Sequence, residues 1–225
     1  VARRRTRYDD LALADDEVPL PPESAAAAEA LLARAAAADL AAALGLDEEP
    51  AASFLARLRS LAQWMPELEL PAFDDDDLRA LLPLLAAGRR SLDDLRRAPL
   101  VDVLRGHLTP RQAAALDREA PERLTVPTGS RLRLDYRPGR PPVLAVRIQE
   151  LFGTADTPRV AGGRVPVLLH LLAPNGRPQQ VTQDLAGFWR RTYPEVKKEL
   201  AGRYPKHPWP DDPLRAEPTR RAKRR

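Results

Sequence analysis

Near residue 119 the hydrophobic period of the chain changes, and one kind of secondary structure cannot satisfy both halves. Upstream, apolar residues recur at three- and four-residue steps, as in Phe54, Leu55, Leu58, Leu61, Ala62 and Met65. Downstream, Arg131-Leu132-Arg133-Leu134-Asp135-Tyr136 alternates polar and apolar. The first period places one stripe of a helix in a core, and the second places one face of a strand there. The predicted class is therefore α+β. An N-terminal all-α helical segment precedes a small α+β domain with a β-hairpin and a C-terminal helix pair.

The helical segment is predicted over residues 23–118. Ser24 is placed to cap a helix running to Leu44, with Gly45 as its stop. Pro50 opens a second helix and Pro66 ends it. Asp74–Asp77 stands ahead of Leu78, Leu81, Leu82, Leu84 and Leu85. Acids favour the positive end of a helix dipole, and no second acidic cluster at ligand spacing supports a metal site. Ser91 opens a helix whose apolar positions are Leu92, Leu95, Leu100, Val101 and Leu104, and Thr109-Pro110 opens a last one through Leu116. Residues 1–22 read as a leading strand or linker. Basic Arg3–Arg7 gives way to acidic Asp9–Glu17, and Pro19, Pro21 and Pro22 mark a boundary.

In the second half, Pro138-Gly139 is a turn. Pro141 and Pro142 precede Val143, Leu144, Arg147, Ile148, Leu151 and Phe152, with Gly153 after them, which predicts a short helix. Val165–Leu172 reads as a buried strand, Asn175-Gly176 as a hairpin turn and Gln179–Thr182 as the returning strand. Asp184 caps a helix through Arg190. Pro194 interrupts it, and the capping-box spacing of Thr192 and Glu195 predicts a fresh helix to Ala201. Pro205, Pro208, Pro210 and Pro213 make an extended segment, and residues 215–225 a basic, mobile tail.

The absence of cysteine excludes disulfides, thiol nucleophiles and Cys-metal sites, and fits a reducing compartment such as the cytoplasm. Glu29, Arg34 and Asp39 break the alanine-rich stretch, so no membrane span is predicted. Gly162-Gly163 lacks the neighbours of a phosphate loop, and no serine sits in a nucleophile elbow. None of His107, His170 and His207 has a zinc-ligand partner at the right spacing. His170, between Leu169 and Leu171, reads as a hydrogen-bonded core histidine, and His207 as the one with a surface role. No catalytic residue is assigned.

Charge is more informative. Residues 1–118 hold 15 basic and 21 acidic residues, a net −6, and residues 119–225 hold 21 and 11, a net +10. Solubility asks a small domain for a net charge of about 2–8 in magnitude, so the excess points to an anionic partner. The candidate nucleic-acid-binding residues are Arg131, Arg133, Arg190, Arg191, Lys197, Lys198, Arg203, Lys206, His207 and Trp209. The plainer reading is weighed beside this one. It makes Trp189, Tyr193, Tyr204 and Trp209 core anchors, which is favoured for the aromatics, and makes the basic residues a solvated face.

Several segments in register carry a family resemblance. They are Val146-Arg147-Ile148-Gln149-Glu150-Leu151-Phe152-Gly153, Arg164–Leu172, Gln180–Trp189, Tyr193–Leu200 and Gly202–Leu214, the last reading Gly-Arg-Tyr-Pro-Lys-His-Pro-Trp-Pro-Asp-Asp-Pro-Leu. Together they resemble the C-terminal domain of HrpB-type bacterial DEAH-box ATP-dependent helicases. The resemblance implies an HrpB C-terminal-like α+β domain over 119–214. It also implies that residues 1–22 end a preceding OB-like domain. ATP and Mg²⁺ then belong to two upstream RecA-like domains, whose motifs do not occur in these 225 residues, so this chain alone is expected to be inactive. Val1 in place of Met fits a piece of a longer polypeptide. The implied partners are nucleic acid, as single-stranded RNA, and the helicase core in the same polypeptide. The alternative is a structural or protein-interaction module that rests on that core or recruits a partner.

Overall fold

The computed structural model describes residues 2–18 and 24–220. The boundary expected at Pro19, Pro21 and Pro22 and the tail residues 221–225 lie outside the described residues. Two compact units are present. One holds Val1–Phe54 and Ala72–His107, the other Leu55–Pro71 and Leu108–Arg225.

The first unit opens with an antiparallel hairpin, β1 (Ala2–Tyr8) and β2 (Leu11–Val18). Its register explains the switch from basic to acidic sequence. Arg5 lies opposite Asp15, and the two pair at 3.0 Å. Opposite charges across a strand pair favour this register over its neighbours. Helices α1 (Ala25–Ala36), α2 (Leu40–Leu44), the start of α3 (Ala51–Trp64), α4 (Asp75–Ala86), α5 (Leu92–Arg96) and α6 (Leu100–Gly106) follow. Their core is built of leucine and alanine with Phe54 and Phe73.

Two expected helices are each divided. The helix predicted from Ser24 to Leu44 breaks before Asp39, whose carboxylate accepts from the Ala42 N–H at 3.0 Å and caps α2. A side chain that competes for backbone donors starts a new helix where alanine propensity alone would continue the old one. Gly45 ends α2 in the left-handed region, as expected, whereas Ser24 makes no capping bond. The helix expected from Ser91 to Leu104 breaks at Pro99, which lacks an N–H and disfavours a helical residue before it. Leu92, the first residue of α5, is exposed. The acidic run stands at the start of α4, as expected, and Asp74 and Asp77 also form a reciprocal capping box there.

The second unit holds the end of α3, α7 (Pro110–Glu119) and a five-stranded sheet. Thr109 and Gln112 cap α7 reciprocally. The strands are β3 (Arg123–Thr125), β4 (Arg131–Asp135), β5 (Val143–Arg147), β8 (Leu168–Leu172) and β9 (Pro178–Thr182), in the spatial order β3-β4-β5-β8-β9. All neighbours are antiparallel except β5 and β8. The crossover between that parallel pair carries a small ribbon, β6 (Arg159–Val160) and β7 (Val165–Pro166).

Three expectations change here. Val143–Arg147 is a strand, and only Ile148–Leu151 turns, as a 3-10 helix. Leu144 and Val146 are buried while Ala145 is exposed, so the period is 2 despite the proline and glycine that frame the segment. The strand expected over Val165–Leu172 is interrupted at buried Val167, after Pro166. The helix expected to end at Pro194 runs on. Helix α8 (Leu185–Gly187) passes through a π turn (Phe188–Thr192) into α9 (Tyr193–Arg203), and Thr192 has helical angles and no capping bond. The wider π turn accommodates the N–H that Pro194 lacks.

The hairpin at Asn175-Gly176 forms as expected, with Gly176 alone at positive φ (85°). The Gly176 N–H donates to the Ala173 carbonyl and the Ala173 N–H to the Arg177 carbonyl, each at 2.9 Å. A turn closed by glycine in this way fixes the β8–β9 register. Phe152, Phe188, Trp189 and Tyr193 form one cluster with ring centroids 5.0–6.2 Å apart, so Trp189 and Tyr193 are core anchors. The Tyr193 hydroxyl donates to the Pro210 carbonyl at 3.0 Å, and burial raises its pKa, with the Asp211 charge acting in the same direction.

Candidate nucleic-acid interface

One face of the five-stranded sheet is buried and the other is open. Leu134, Leu144, Val146, Leu169 and Leu171 point into the core. The alternate positions Arg131, Arg133, Asp135, Val143, Ala145, Leu168 and His170 are exposed or half-buried. Period two thus puts Arg131 and Arg133 on the open face, as their spacing implied. It also moves His170 out of the core. Leu169 and Leu171 are fully buried, so His170 between them faces the other way and is half-buried. The expectation of a core histidine is corrected accordingly.

A cleft of about 610 Å³ lies on this face. Val143, Ala145 and Leu168 line it together with Arg133, Arg137, Arg140, Asp135 and His170. Arg123 on β3 stands directly opposite Arg133 on β4, and its Nη1 donates to the Arg131 carbonyl at 3.2 Å. Reading the sequence in order missed Arg123, Arg137, Arg140 and His170. Only the strand register and the Pro138-Gly139 turn bring them beside Arg133. The alternation of Arg123-Leu124-Thr125 was the available signal, but three residues are too few to establish a period.

The second group of candidates lies on the C-terminal helical run and the segment after it. Arg191 pairs with Asp184 at 2.8 Å, and Arg203 with Glu199 at 3.4 Å. Half-buried Lys197 pairs with Asp211. The Asp184 carboxyl is held below its usual pKa range, first by the hydrogen bond it accepts from the Gly187 N–H and then by Arg191. Arg190, Lys198 and Lys206 are exposed and form no ion pair among the described residues. Trp209 is half-buried, and its indole N–H donates to the Tyr204 carbonyl at 3.0 Å. His207 sits edge-on to the Tyr204 ring at 6.3 Å. Burial pushes the His207 pKa down, and the positive charge of Arg147 on β5 adds to that.

Other polar groups are structural. The Ser130 and Thr128 hydroxyls donate to the buried Glu150 carboxylate at 2.8 and 3.1 Å, and Arg220 lies 3.5 Å from it. Ser130 is therefore engaged in holding this buried carboxylate. The Thr219 N–H donates to the Gln149 carbonyl at 3.0 Å, so the described start of the basic tail returns to the 3-10 turn. Among the described residues no group of three His, Asp or Glu side chains is placed to hold a metal. None of their helices is long and apolar enough to cross a membrane.

Comparison with known proteins follows the same region. A family profile described as ATP-dependent helicase C-terminal (HrpB) matches residues 81–213. The chain is 49% identical over 173 residues to the ATP-dependent RNA helicase HrpB of Escherichia coli K12, covering 75% of this chain and 21% of that protein. Its fold matches a crystal structure of the E. coli DExH-box NTPase HrpB with a TM-score of 0.80 at 40% identity, over 99% of this chain and 28% of that one. A second crystal structure, of the E. coli DEAH/RHA helicase HrpB, gives 0.68 at 39% identity over 93% of this chain and 27% of that one. The chain therefore spans between a fifth and three-tenths of the relatives it matches. With more than half its residues inside the family profile, the chain belongs to the HrpB family of ATP-dependent helicases and corresponds to their C-terminal region.

Proposed function

We propose that this region is the C-terminal accessory portion of an ATP-dependent RNA helicase and grips single-stranded RNA beside the motor. The observation that carries the reading is the exposure of Arg190, Lys198 and Lys206, which form no salt bridge among the described residues, in a half of the chain with net charge +10. Unpaired surface cations cost little in water and are available to release counterions from a phosphate backbone. In this reading ATP and Mg²⁺ serve the motor in the same polypeptide, which works in the cytoplasm. This region takes no part in hydrolysis.

The test is binding of a fluorescent 12-nucleotide single-stranded RNA at low salt, read by anisotropy. The chain is expected to bind, and the double variant Lys198→Glu, Lys206→Glu to bind about ten-fold more weakly or worse. A chain that does not bind at low salt contradicts the reading. A second reading, a module that rests on the helicase core, draws on a different observation. Leu31 and Leu84 of the first unit are 66% and 58% exposed. Contact with the core that survives the Lys198 and Lys206 reversals would favour it.

A further inference from the structure

The open sheet face gathers several arginines beside an apolar floor. Arg123 and Arg133 are direct cross-strand partners on neighbouring strands, in a sheet where a one-residue change of pairing would flip every side chain. Like charges directly opposite destabilise a strand pair. Arg131 lies two residues along on the same face, and Arg137 and Arg140 flank the adjoining turn. The one acid lining the cleft, Asp135, lies 3.3 Å from Arg137. Beside this cationic edge the floor turns apolar at Val143, Ala145 and Leu168.

We propose that this face is a seat for one segment of a single-stranded nucleic acid. A backbone phosphate lies between Arg123 and Arg133, and a nucleoside sits over Val143, Ala145 and Leu168. The inference rests on the nucleic-acid reading above and adds to it a site on the sheet. A phosphate between the two guanidiniums gains two charge-assisted contacts. Arg131 and Arg133 are roughly 6.6 Å apart along the strand, close to the phosphate step of an extended single strand. The cleft, at about 610 Å³, falls in the size range of ligand sites. The His170 imidazole and the arginine guanidinium planes in its lining are surfaces on which a base can stack, with the aliphatic floor beside them. An acidic protein segment would use the arginines but has no need of the apolar floor between β5 and β8.

The test uses the full 225-residue chain and a fluorescent 12-nucleotide oligouridylate. The melting temperature of Arg133→Glu is measured beside that of the parent chain, so that a loss of fold is told apart from a loss of binding. The affinity of this variant is expected to fall about ten-fold, with the salt dependence reduced by about one contact. Arg140→Glu, at the exposed turn, provides the same readout without touching a strand pair. If the parent chain binds and both variants bind equally well, the seat is overturned while the helical reading stands. If the parent chain does not bind, the nucleic-acid reading itself fails. Poly-glutamate competing as well as RNA at equal charge overturns the seat in favour of an acidic protein segment. Crosslinking with 4-thiouridine RNA supplies an independent check. Adducts within residues 141–147 or 168–172 support the seat, and adducts confined to residues 190–209 overturn it.

Discussion

The two units bury different chemistry. Among the described residues the buried polar side chains are Arg57, Ser60, Ser130, Gln149 and Glu150, and all of them belong to the second unit. The first unit buries alanine, leucine and phenylalanine, and holds its helix ends with exposed caps such as Asp39, Asp74 and Ser91. An apolar core tolerates any side chain of similar volume, because dispersion and burial have no direction. A buried polar group accepts one arrangement of partners and penalises the rest. The first unit is thus specified mainly by local signals and volume, whereas in the second Arg57, Ser130 and Glu150 are held by long-range hydrogen bonds, although the Ser60 hydroxyl and the Gln149 amide nitrogen are buried without one.

The largest expected effect that would break this contrast is at Arg57. Its Nε donates to the Ala120 carbonyl at 2.9 Å and its Nη1 to Glu122 at 2.7 Å, and Nη2 lies 3.5 Å from Asp117. Arg57→Leu leaves that carbonyl without its donor, and is expected to cost about 3 kcal/mol. All three tryptophans, Trp64, Trp189 and Trp209, lie in the second unit, so urea unfolding followed by their fluorescence reads the loss. A cost below about 1 kcal/mol would mean that Arg57 does not specify the unit.

A smaller effect sharpens the other side. Leu78 is fully buried in the first unit, yet Leu78→Met is expected to cost less than about 1.5 kcal/mol in urea unfolding followed by circular dichroism. A cost near that of Arg57→Leu would erase the distinction. The smallest expected effect is the pH dependence from His207. Its pKa is lowered by the fold from an ordinary 6.5, so below about that pH the unfolded chain binds more protons than the folded one. Stability is therefore full above pH 6.5, falls as the pH drops toward the folded value, and levels off beneath it. His207→Asn is expected to remove this component, measured as the difference in urea midpoint between pH 7.5 and 5.5.

What could be read from sequence follows the same division. The acidic first turn at Asp74–Asp77, the helix start at Thr109, the stop at Gly45, the alternation of Arg131–Asp135 and the hairpin at Gly176 are local, and each formed as read. Local rules failed where a second local signal competed. Asp39 and Pro99 each divided a helix that leucine spacing would have continued. They failed also where tertiary context overrode them. Val143–Arg147 became a strand because β8 pairs beside it, and Thr192 kept helical angles through the π turn. Arg57 was readable in principle, since it lies three residues after Phe54 and four before Leu61 on the apolar stripe. A charged residue in that stripe signals a buried partner without naming it. The basic candidates were readable as a list. Their division between an open sheet face and a helical run with three internal ion pairs was not, because it depends on strand order and on Asp184, Asp211 and Glu199.

The central claim is that the second unit presents its positive charge to a phosphate backbone. The most direct measurement is the affinity of the chain for single-stranded RNA across a series of salt concentrations. The account predicts a linear fall of log K with log salt, with a slope of roughly −0.7 for each phosphate engaged, or about −3 for four contacts. A slope near zero, or no binding at the lowest salt, would contradict it.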